Sequence, residues 1–77
     1  MLTFVIVPIT PFATNFRSIR LECLLSLADV GKLMGTSRQV VWSWETGRTE
    51  PNFEQLSRLA TVLGVTTDDL LRPPPTG

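Results

Sequence analysis

The side chains best suited to chemistry lie close together in the stretch SRQVVWSWETGR, Ser37 to Arg48. Read as a helix at about 100° per residue with Arg38 at the origin, Val40, Val41 and Trp44 point to a common arc centred at about 250°. Arg38, Gln39, Trp42 and Ser43 face away from it, so the outward side carries a cation, an amide, an indole and a hydroxyl. Arginine can bond guanine O6 and N7 in two-pronged fashion, and glutamine can do the same to adenine N6 and N7. Each such pair gives about 1–3 kcal/mol of discrimination between bases. On residue types alone, the same arc reads more readily as a solvated helix face. The two tryptophans, two residues apart, fall on opposite sides of the helix. Trp44 is expected in a core, and Trp42 is expected among the outward groups.

A helix of eight residues does not stand alone, so neighbouring elements must hold it. The chain of 77 residues is 43% hydrophobic and 18% charged, which suits one small folded domain. Start signals recur along it. Ser26 with Asp29 three residues on reads as a capping box opening a helix through Met34, and Gly35 stops it. Ser37 caps the helix from Arg38 to Glu45. TGRTEP is a loop of turn residues, and Asn52 with Gln55 opens a helix through Leu63 whose stripe is Phe53, Leu56, Leu59, Ala60 and Leu63. Gly64 ends that helix, and Thr66 with Asp69 starts a last turn to Leu71. Upstream, a first helix is expected from Thr14 or Asn15, with Phe16, Ile19 and a buried Cys23 on one face. The class is all-α with five short helices.

Residues 1–12 differ from the rest. LTFVIV is β-branched and aromatic without a charge, bounded by Pro8 and Pro11. It lacks the basic start of a signal peptide and is too short and proline-broken for a membrane span. Three readings stand: a strand or extended arm packed on its own domain, a strand pairing with a second copy, or a disordered tail. Pairing in a dimer is expected. The helical domain is expected over residues 13–72, followed by a disordered proline-rich tail over 73–77.

Several function classes are set aside by composition. No histidine and one cysteine leave no Cys–His nucleophile and little for a metal site, and the glycines form no phosphate loop. An enzyme, a cofactor, a metal and a small-molecule ligand are not expected. The lone Cys23 fits a reducing, cytoplasmic location. Net charge is zero, yet it is unevenly placed. Arg17, Arg20, Lys32, Arg38 and Arg48 outnumber Glu22, Asp29 and Glu45 in the first part. Glu50, Glu54, Asp68 and Asp69 outnumber Arg58 and Arg72 after it. One end can face phosphate while the other stays away.

A helix, the turn GTS and a second helix form a helix-turn-helix pattern. From Phe16 to Leu71, the segments LMGTSRQVV, WETGRTEP, LSRLATVLGV and DDLL resemble the Cro and phage-repressor type of helix-turn-helix domain, the XRE family, in order and spacing. The resemblance implies a five-helix, lambda-repressor-like fold and a sequence-specific regulator of transcription, a small dimeric repressor or autoregulator, antitoxin- or controller-like. The implied partners are double-stranded DNA, a second copy and, for an antitoxin, a toxin. It implies base contacts from Arg38, Gln39 and Ser43, with Trp42 beside them, and phosphate contacts from Ser37, Thr46, Gly47 and Arg48. It also implies an ion pair of Arg20 with Glu45. Leu27 stands where many members have a phosphate-gripping glutamine, and Gly31 stands where alanine is favoured, at about 1 kcal/mol of helix propensity. The alternative is a protein-interaction module that kept this fold and left DNA.

Overall fold

The computed structural model describes residues 10–73. Within them the order is α1 (Pro11–Glu22), α2 (Leu27–Met34), α3 (Arg38–Glu45), α4 (Phe53–Leu63) and α5 (Thr67–Leu71). The readings of LTFVIV and of residues 74–77 lie outside the described residues. None of the described helices is long and apolar enough to cross a membrane.

Local chemistry sets most boundaries. Reciprocal capping boxes open α2 (Ser26 with Asp29), α4 (Asn52 with Gln55) and α5 (Thr66 with Asp69), while the Ser37 hydroxyl accepts from Val40 N–H to open α3. The first helix starts earlier than its apolar spacing predicts. Thr10 accepts from Ala13 N–H at 3.3 Å, and Pro11 takes the first helical position, where its missing N–H costs nothing. Pro11 and Phe12, read as the end of the arm, therefore belong to α1. The gain is a buried Phe12 one turn before Phe16, with ring centroids 5.7 Å apart. Asn15, taken as a possible start, lies mid-helix and donates to the Leu70 and Arg72 carbonyls, tying α1 to the end of α5.

Phe12, Phe16, Val30, Met34, Val41, Trp44, Leu59, Ala60, Leu63 and Leu70 form one core to which every helix contributes. Three apolar residues depart from their expected burial. Cys23 is exposed at the C-cap of α1, and its thiol donates across to the Leu63 carbonyl of α4 at 3.7 Å. Phe53, the first residue of α4, projects beyond the core and is 81% exposed. Val40 sits on the first turn of α3 at the rim of the apolar arc and is 36% exposed.

The α2–α3 unit closes on Gly31. Thr36 N–H donates to the Gly31 carbonyl at 2.8 Å. A Cβ at Gly31 would lie 3.0 Å from the Thr36 carbonyl oxygen and 3.2 Å from the Ser37 carbonyl carbon. Glycine here buys close approach of the turn, which accounts for the helix propensity it forgoes.

Candidate nucleic-acid interface

The outward side of α3 is anchored from behind. Arg20 of α1 donates through Nε and Nη2 to the two Glu45 oxygens at 2.8 and 2.7 Å, and through Nη1 to the Leu25 carbonyl at 2.8 Å. Both side chains are nearly buried, at 11% and 9% exposure. Buried Trp44 and Val41 hold the same face of α3 in the core. The Leu25 carbonyl just ahead of α2 is therefore linked through Arg20 to the last residue of α3.

On the other side, Arg38 and Gln39 are exposed at the first turn, with Trp42 one turn on, and the three line a shallow recess. Among the described residues Arg38 enters no ion pair. Ser37 precedes them, its hydroxyl oxygen engaged as the cap of α3. Ser43 is half-buried and more committed than its position on the wheel predicts. Its hydroxyl donates to the Val40 carbonyl and meets the Thr49 hydroxyl, both at 2.6 Å.

The loop after α3 folds back along its last turn. The Thr46 hydroxyl donates to the Trp42 carbonyl at 2.9 Å, and Gly47 takes φ 79°, a left-handed conformation suited to glycine. Arg48 and Thr49 N–H groups both donate to the Ser43 carbonyl, at 2.9 and 3.2 Å. The result sets the Arg48 guanidinium carbon 5.2 Å from the Trp42 ring centroid.

Sequence reasoning passed over Arg17. It lies one turn before Arg20 on α1, reaches Glu45 Oε1 at 3.7 Å and keeps 68% of its side chain exposed. It lines an open recess with Trp42, Glu45 and Thr46. Its spacing of three from Arg20 was the available signal, since two arginines so placed share one side of a helix.

The arrangement brings Arg38, Gln39, Trp42, Thr46, Arg48 and Arg17 around the outward side of α3, with Arg20 and Glu45 behind it. Fold and site together define a helix-turn-helix domain whose second helix is locked in place and offers a polar, cationic face. The chain belongs to the helix-turn-helix family of the Cro and phage-repressor type, whose model matches residues 16–70. It is 31% identical over 61 residues to YonR, an SPbeta prophage-derived, uncharacterized HTH-type transcriptional regulator of Bacillus subtilis, covering 79% of this chain and 56% of that protein. It is 34% identical over 58 residues to repressor protein C2 of Salmonella phage P22, covering 75% and 27%. The chain thus spans about half and about a quarter of these relatives' lengths. Among solved structures it resembles the P22 c2 repressor in complex with a synthetic operator, with TM-score 0.75 and 33% identity over 79% of this chain and 92% of that one. It also resembles part of the hydroxypropylphosphonic acid epoxidase from S. wedmorenis, with TM-score 0.76 and 33% identity over 88% of this chain and 35% of that one.

Proposed function

We propose that this chain is the DNA-binding domain of a transcriptional regulator, a repressor that reads the major groove with α3. The observation that carries the reading is the pair Arg38 and Gln39, exposed on α3 in a fold shared with a repressor solved on its operator. Arg38 reads guanine and Gln39 reads adenine by two-pronged bonds. The backbone N–H groups at the start of α3, just after Ser37, and the Arg48 guanidinium meet phosphates on either side of the groove. The Thr46 hydroxyl and the N–H groups around Gly47 are taken up in holding the loop that presents Arg48. Leu27 supplies no phosphate bond at the start of α2, so Arg17 and Arg48 carry more of the electrostatic attraction. A homodimer places two such helices about 34 Å apart, one helical turn of DNA. An antitoxin or restriction-controller role is a variant of the same reading.

Selection from a randomised duplex pool, followed by titration of the enriched duplex against salt, tests it. Affinity falls steeply with salt if phosphates are contacted. Sedimentation of the chain with the duplex gives the number of copies bound. Absence of binding to any duplex at low salt rejects the reading.

The competing reading is a protein-interaction domain, favoured by the nearly full exposure of Leu24 and Phe53 and by the occurrence of this fold within an epoxidase chain. Substitution of Leu24 and Phe53 by serine leaves duplex binding unchanged under the first reading.

A further inference from the structure

Trp42 is exposed on α3 beside the two residues assigned to base reading, yet the face of its ring is occupied. The Arg48 guanidinium carbon stands 5.2 Å from the ring centroid. Three features of the loop make this pairing a built one. Thr46 binds back to the Trp42 carbonyl, Gly47 reverses the chain, and the Arg48 and Thr49 N–H groups converge on the Ser43 carbonyl. The Ser43 hydroxyl has one proton, and it goes to the Val40 carbonyl. In the contact with Thr49, Ser43 therefore accepts, leaving it no donor for a base edge.

We propose that Trp42 is a positioning residue for Arg48: the indole holds the guanidinium at the edge of α3 where it meets a DNA phosphate, and Ser43 with Thr49 fixes the loop that delivers it. Neither Trp42 nor Ser43 reads a base. The inference rests on the DNA-binding reading. A guanidinium stacked on a ring presents its flat face to the π-system and keeps its N–H groups free at the edge. Those edge donors are the ones that grip a phosphate in two-pronged fashion, so stacking and phosphate binding coexist. An arginine on an exposed loop otherwise loses its rotamer freedom on binding, and stacking removes that freedom beforehand. Lysine cannot replace it, because an ammonium offers no planar edge.

The test uses the full chain and the duplex enriched by selection, with Trp42→Ala, Trp42→Phe, Arg48→Ala and the double variant Trp42→Ala/Arg48→Ala. Arg48→Ala is expected to reduce the slope of log affinity against log salt by about 0.9, the share of one phosphate. Trp42→Ala is expected to reproduce most of that reduction, the double variant to add little, and Trp42→Phe to retain the parent slope. The preferred base at every position stays the same in all four. A second arm needs no DNA. Trp44 is buried, so acrylamide quenching of indole emission reports Trp42, and Arg48→Ala is expected to raise the quenching constant. A changed base preference in Trp42→Ala with an unchanged salt slope overturns the proposal. An unchanged quenching constant with duplex binding intact overturns the positioning alone. Failure of the parent chain to bind any duplex overturns the DNA-binding reading and the proposal with it.

Discussion

Arg20 and Glu45 meet through two parallel hydrogen bonds that join the last turn of α1 to the last residue of α3, 25 positions apart in the chain. Neither charge is well hydrated, so each depends on the other. Glu45→Ala leaves a nearly buried guanidinium without its partner and is expected to lower stability by about 3 kcal/mol in urea unfolding. Arg20→Met with Glu45→Leu removes both charges and is expected to recover most of that loss. Equal instability in the single and double variants argues against the pairing energy.

The end of α1 carries avoidable strain. Leu24 adopts φ 59° with Leu24 N–H on the Leu21 carbonyl and Leu25 N–H on that of Arg20, the same closure that Gly35 and Gly64 make after α2 and α4. Its side chain is 90% exposed, so little packing is at stake. Leu24→Gly is expected to raise stability by about 1 kcal/mol, since glycine takes the left-handed region without the penalty a Cβ brings. A lower midpoint of thermal unfolding contradicts this.

Gly31→Val places a branched side chain where the turn backbone already stands 3.0 Å from a Cβ position. Forced separation of α2 from α3 is expected to cost about 1–3 kcal/mol in denaturant unfolding, as overpacking does. Duplex binding is expected to fall by more than the unfolded fraction explains, because α3 is displaced.

With no histidine in the chain, stability is expected to be flat around neutral pH. The acid side has an identifiable source. The Ser26 backbone N–H, then its hydroxyl, hold the Asp29 carboxyl below its ordinary 3.8, and Thr66 does the same for Asp69. Groups whose folded pKa is depressed stabilise fully above the unfolded value, and the contribution disappears as pH falls through the folded one. Unfolding measured from pH 5 downward should therefore show a loss beginning around 3.8, with a shallower slope in Asp29→Asn/Asp69→Asn.

Arg38→Ala and Arg17→Ala are expected to separate base reading from phosphate contact. The first relaxes preference at one base position by about 1–3 kcal/mol and the second leaves preference intact. Arg17→Ala instead lowers the salt slope by about 0.9. Matching effects of the two variants on base preference contradict the assignment.

The boundaries of α2, α3, α4 and α5 were legible because each rests on a side chain that bonds a backbone N–H three residues away, a relation visible in the sequence itself. The start of α1 was obscured because Pro11 reads equally as the limit of an extended arm and as the first residue of a helix; Phe12 against Phe16 decides between them only once α5 closes over both. Helical periodicity assigned a side to Val40, Phe53 and Cys23, but not how far the neighbouring helices reach along it. At the site, the exposure of Arg38 and Gln39 follows from the wheel. The engagement of Ser43 does not, since its partner Thr49 returns through a loop whose path Gly47 sets. Arg17 was passed over because its role depends on α1 crossing behind Glu45.

The close approach of the turn to Gly31, whose carbonyl accepts from the Thr36 N–H, has a bearing on control. With no room for even a Cβ between the turn and α2, tilting α3 against α2 is expected to cost packing at this point. Under the proposed function, regulation is expected to act on the spacing between copies or on access to the outward face. The angle of α3 within a copy is the costlier quantity to change.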